Sequence, residues 1–171
     1  MTRLALANTI SFLGALFLCL SCLARTKRRV AACQLIQCGM LTFAQIAFGK
    51  GAGAVTMGAA FIRNLLIAIG HYSTIAMIII AGLTLLFGVA FNSFGLIGLL
   101  PVGVGIFYTI STRLAKDVVG VKYALLVLLS VWVIYSVLIK DLFGVISNLL
   151  ALILNIITLC KMKKTKNKSP M

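Results

Sequence analysis

The chain has almost no acid: Asp117 and Asp141 are its only carboxylate side chains, against 16 lysines and arginines. It also has a single histidine and a single tryptophan. General acid–base catalysis wants positioned carboxylates or histidines, so an enzyme is not expected. Proton relays across a membrane draw on the same residue types inside the bilayer, and both aspartates fall beside lysines in expected loops. The five cysteines are Cys19, Cys22, Cys33, Cys38 and Cys160, and they form no extramembrane framework of the kind a disulfide scaffold uses. Cys19 and Cys22 make a CxxC inside an apolar run with no histidine near it. Small packing side chains explain it better than a metal site. No cofactor or metal is expected.

What is abundant is apolar. Hydrophobic residues make up 62% of the 171, charged residues 11%, and the mean hydropathy is +1.16. A soluble domain has roughly a quarter of its residues charged, and a globule this small could not bury such an apolar excess. Lipid is the solvent these residues need. A spanning helix takes about 20 apolar residues, so the length allows six or seven crossings. The segments run over Leu4–Ala24, Val30–Phe48, Ala52–Gly70, Ser73–Phe91, Phe94–Ser111, Val118–Ile139 and Leu142–Cys160. The first is read as a permanent helix, because the Arg25–Arg29 cluster that follows it resists translocation.

The formal charge of +14 lies mostly in three clusters: Arg25 to Arg29, Arg113 to Lys122, and Lys161 to Lys168. Each follows an apolar run, and none has the interleaved aromatics of a nucleic-acid surface. Juxtamembrane Lys and Arg mark cytoplasmic loops and meet anionic lipid headgroups. Seven crossings with the N-terminus outside put all three clusters on the cytoplasmic side, whereas an even count would misplace one. The expected topology is therefore N-out, C-in.

Sliding the chain along itself by 91 residues aligns its two halves without gaps. Gly53 falls on Gly144 (144 − 53 = 91) and Asn64 on Asn155 (155 − 64 = 91), and Leu23-Ala24-Arg25 falls on Leu114-Ala115-Lys116. Three helices (4–70) would thus recur as three more (94–160), with one linker helix (73–91) restoring their sidedness and a basic tail (161–171) following. Parallel repeats of this kind are a known transporter plan, with sites near midplane where the repeats meet.

The second half resembles the SWEET and PQ-loop superfamily. Trp132-Val133-Ile134-Tyr135, Lys140-Asp141-Leu142-Phe143 and Ser147-Asn148 match its W-x2-Y, K-D-x-F and P-N pattern, with Ser147 in place of the proline. Pro101 falls where that group also carries a proline, and the PQ dipeptide is absent. Over nearly the whole chain the resemblance is to YgjV-type bacterial inner membrane proteins. Its residues are Arg63-Asn64, Leu100-Pro101-Val102, Lys116-Asp117 and Asn155. The resemblance implies an all-α membrane protein of seven helices in a 3+1+3 arrangement. It also implies a substrate pocket at Asn148 with Trp132 as an apolar wall.

Intramembrane polar residues are costly and tend to face a cavity or another helix. Asn148 and Asn155, seven apart, share a face of the last helix, and Asn64 is the first-half partner of Asn155. Each is a candidate either for solute binding or for helix–helix contact. Arg63, read as the one charge deep within a span, either meets an anionic solute, orders a gate against helix carbonyls, or snorkels to the cytoplasmic surface. Gln34, Gln37 and Gln45 are lesser candidates. At the 91-residue offset Trp132 meets Leu41 and Asn148 meets Met57, so any pocket is lopsided. The expected function is facilitative transport of a sugar-like or other small polar solute. The alternative is a non-transporting membrane partner, and self-association is left open.

Overall fold

The computed structural model describes residues 3–47, 51–92, 95–138 and 141–167, with side chains described between 6 and 164. Phe48, Phe94, Ile139, Lys140 and Lys168, used above as loop or end residues, lie outside the described residues. The described segments form α1 (Arg3–Leu23), α2 (Lys27–Ala47), α3 (Gly51–Ile69), α4 (Thr74–Ala90), α5 (Gly95–Leu114), α6 (Val118–Leu138) and α7 (Leu142–Asn167). Six of them are long and apolar enough to cross a membrane, and α4, with 17 residues, is shorter.

The helix ends follow from local chemistry. A side-chain oxygen ahead of a helix can accept from the free N–H groups of its first turn. Thr26 does so for Arg29 N at 3.3 Å, Ser73 for Ala76 N at 3.1 Å, and Asp117 for Gly120 N and Asp141 for Gly144 N at 2.9 Å each. Both of the chain's carboxylates are thus helix caps. Thr26 and Asp117 are themselves 91 residues apart (117 − 26 = 91). The cap at Thr26 starts α2 at Lys27, three residues before the expected Val30. At the other end of α3, Gly70 takes φ +83°. That left-handed turn lets His71 N reach Leu66 O at 2.8 Å and Gly70 N reach Ile67 O at 3.2 Å, the paired bonds of a Schellman ending. The lysine-rich segment after Cys160, expected as a tail, continues α7 to Asn167; lysine and methionine are good helix formers.

Packing arranges six helices in a closed ring. Each of α1–α2, α2–α3, α3–α5, α5–α6, α6–α7 and α7–α1 is a packed pair, and α4 lies against α3 and α5. Successive helices alternate in direction. One end of the bundle therefore holds Asn8, Gln45, Thr56, Ser136 and Asp141, and the opposite end holds Thr26, Gly70 and Asp117. Toward the Thr26 end the centre is solid, packed with Leu18, Cys22, Val30, Tyr108, Val121 and Leu125.

The outer surface is apolar. Phe43, Ile75, Leu86 and Leu96 are 70%, 71%, 63% and 86% exposed, a surface suited to lipid rather than water. Helix α4 buries only Ile80, Thr84 and Gly88, one residue per turn along a single strip. At Gly88 an added Cβ would lie 2.7 Å from Val102 Cγ2, so glycine is what lets α4 dock against α5.

Candidate functional site

Between the ring helices lies a cavity of about 400 Å³. Small-molecule sites run from roughly 300 to 1,000 Å³, so it has room for a small solute. Its walls come from α1, α2, α3, α6 and α7, mostly toward the Asn8 end, with Leu18, Gln34, Arg63, Tyr108 and Thr109 deeper in and Thr84 of α4 beside them. At its mouth are the exposed Asn8 and the half-buried Asp141. Toward the Thr26 end it stops against the packed cluster around Leu18 and Leu129.

On α2 the wall residues are Gln34, Gln37, Cys38, Leu41 and Gln45. Their spacing of 3, 4, 7 and 11 residues from Gln34 puts them on one helical stripe. On the facing side, α6 contributes Trp132 and α7 contributes Asn148. The Trp132 ring meets Tyr135 edge-on at 5.5 Å. Asn148 Nδ2 donates to Gly144 O at 2.8 Å, one turn back in its own helix. That bond occupies one of its amide protons and leaves the rest of the amide group to the cavity.

Arg63 is the charged residue at the depth of the cavity. It is 4% exposed, so it does not snorkel. Its Nη1 donates to Thr109 Oγ1 at 3.1 Å, and Nε and Nη2 donate to Asn64 Oδ1 at 3.3 and 3.2 Å. The guanidinium also lies 4.6 Å from the centroid of the Tyr108 ring, a cation–π distance. Tyr108 in turn donates to Gln34 Oε1 at 3.2 Å. These partners hold the guanidinium in one orientation across α2, α3 and α5.

The candidate residues therefore separate. Trp132, Asn148 and Arg63 line the cavity. Asn64 stands behind the wall, buried, and positions Arg63 while its Nδ2 approaches Cys38 Sγ at 3.6 Å. Asn155 is away from the cavity. It is fully buried, and its Nδ2 donates to Lys122 O at 2.9 Å, joining α7 to α6.

Lys122 corrects the sequence reading most. It was grouped with the loop cations, leaving Arg63 as the one intramembrane charge, yet Lys122 is 0% exposed. Its Nζ donates to Ser21 O at 2.9 Å and also to Cys22 O. These carbonyls belong to the last turn of α1, where backbone donors run short; Ser21 O also takes Ala24 N at 3.3 Å. The helix dipole also favours a cation there. Lys27, at the start of α2, donates to Ala115 O just past the end of α5. The two lysines thus tie each half of the chain to the other at the Thr26 end. Nearby, Tyr72 donates to Thr109 O at 2.8 Å, fastening the α3–α4 turn to α5. Burial pushes the Tyr72 phenol above its usual range, so it remains a donor at neutral pH.

A family model described as a bacterial inner membrane protein, the YgjV type, matches residues 5–166. The chain belongs to the YgjV family. It is a multi-pass inner membrane protein, and its apolar outer face meets the lipid bilayer. Neither the curated proteins nor the solved structures contain a match to it. The family description states a location and no activity, so for this YgjV protein the cavity itself is the guide to function.

Proposed function

We propose that this YgjV protein is a small-solute transporter that works by alternating access, with two three-helix repeats rocking about the cavity. The observation that carries the reading is who lines the cavity. Leu41 and Trp132 (132 − 41 = 91), Gln45 and Ser136 (136 − 45 = 91), and Met57 and Asn148 (148 − 57 = 91) are all wall residues. Equivalent positions of the two halves thus face one space, as expected of a site at a repeat interface. The ring agrees with that symmetry: shifting by one repeat turns the α1–α7 contact into the α5–α3 contact, and both are packed. In this reading α4 is the linker and the seventh crossing. Its 17 residues reach about 25 Å at 1.5 Å per residue, near the short limit for a span.

The basic loops at the Thr26 end then face the cytoplasm and its anionic lipid headgroups. The cavity faces outward, sealed below by the packed core and the Lys27 and Lys122 ties. No carboxylate or histidine lies among the described wall residues except Asp141, whose Oδ1 caps α7. This supports facilitated diffusion over proton coupling. Uptake into liposomes holding the purified chain, screened over sugars, vitamins and small organic acids, tests the reading. Equilibration of at least one solute class faster than in empty liposomes is expected, with a tenfold or greater loss in a folded Asn148→Ala variant. Flux unchanged by that substitution removes Asn148 from the pathway, and no flux for any class leaves a non-transporting membrane partner.

A further inference from the structure

We infer that the solute carries a carboxylate, which Arg63 receives at the floor of the cavity. This rests on the transport reading and narrows its substrate class.

The argument begins with an uncompensated charge. A guanidinium has five N–H donors, and three are engaged, all by the neutral side chains Asn64 and Thr109. The Tyr108 ring face lessens the cost of burying the cation but does not cancel its charge. The chain has only two acids to offer. Asp141 sits at the mouth, and Arg63 lies 12 residues into α3 from Gly51 at the same end, about 18 Å along the axis. Asp117 is exposed at the opposite end, where its Oδ1 caps α6. Neither can neutralise Arg63. A buried, unpaired cation is costly to hold, and an anion arriving through the cavity would offset that cost.

The remaining two N–H groups and the planar fork favour a carboxylate, which matches that geometry with parallel hydrogen bonds. The cavity is also far larger than a chloride or phosphate needs. Above Arg63 it offers the Trp132 ring to an apolar stem and the amides of Gln37 and Asn148 to further polar groups. That composition fits a small organic acid rather than a bare inorganic ion or a neutral sugar.

Trp132 is the chain's single tryptophan, so its fluorescence reports on the cavity with no added label. The full chain in nanodiscs is titrated with a series of small carboxylic acids, each beside its matched primary amide, and with chloride and phosphate. The expected result is a saturable Trp132 response to at least one acid, with its amide at least tenfold weaker. Arg63→Gln should abolish that response and Arg63→Lys should keep part of it. If Arg63→Gln does not fold, the acid-to-amide ratio of the unaltered chain decides alone. Amides or sugars binding as well as acids overturn the carboxylate while leaving the transporter intact. A response to chloride or phosphate but to no organic acid also overturns it. Silence to every probe, together with no uptake of any class, removes both readings.

Discussion

Two buried cations in this bundle have different surroundings. Arg63 faces a cavity and keeps donors to spare, whereas Lys122 is buried against helix-end carbonyls and ties α6 to α1. Substituting Lys122 with methionine keeps much of the side chain's bulk but removes the ammonium donor from both carbonyls, leaving Ser21 O only Ala24 N and Cys22 O without that bond. An unsatisfied buried acceptor costs about 1–3 kcal/mol, so Lys122→Met should lower the melting temperature of the purified protein by several degrees. An unchanged melting temperature contradicts the assigned role. These roles were only partly legible in the sequence. Lys122 follows Asp117 by five positions, inside a run that already held Arg113 and Lys116, and its partners Ser21 and Cys22 are about a hundred residues away. Nothing local could show that it turns inward. Asn64 and Asn155 stand 91 residues apart (155 − 64 = 91), yet one orients Arg63 and the other bonds a backbone carbonyl. Residue type revealed the need for partners, and tertiary packing chose them.

At the scale of the element, the seven helices were readable because apolar length and turn chemistry agree. Asp117, Asp141 and Ser73 cap helices where a first turn would need an acceptor. The glutamines of α2 stand out as amides in an apolar run, and Gln34, Gln37 and Gln45 all line the cavity, although their shared face with Leu41 emerges only in the structure. The docking of α4 was not readable, because glycine identity alone does not say which neighbour approaches. Two glycines in that helix make the point testable. An added Cβ at Gly88 meets Val102 at 2.7 Å, and one at Gly82 meets nothing within 4 Å. Valine is β-branched and stiff, and overpacking of this sort costs about 1–3 kcal/mol. Gly88→Ala should therefore lower thermal stability in detergent and Gly82→Ala should not. Adding Val102→Ala to Gly88→Ala should recover part of the loss. Equal effects from the two glycines would contradict the α4–α5 contact.

The whole molecule is a ring that is open-centred near Asn8 and solid near Thr26. Its asymmetry along the membrane normal comes from composition. The half around Trp132, Asn148 and Gln45 mixes amides with one indole, whereas Leu18, Leu125 and Leu129 fill the other half. In the proposed reading the 91-residue offset pairs positions of the two halves, and several of those pairs line the cavity. The central claim is that this space opens to one face at a time and that Asn148 lies on the route. A single cysteine at position 148, in a chain whose own five cysteines are replaced, tests it most directly with a membrane-impermeant thiol reagent. The account predicts labelling from the outer face, slowed by transported solute, and slower labelling from the cytoplasmic face as the cavity reverses. A cysteine that reacts from neither face would contradict it.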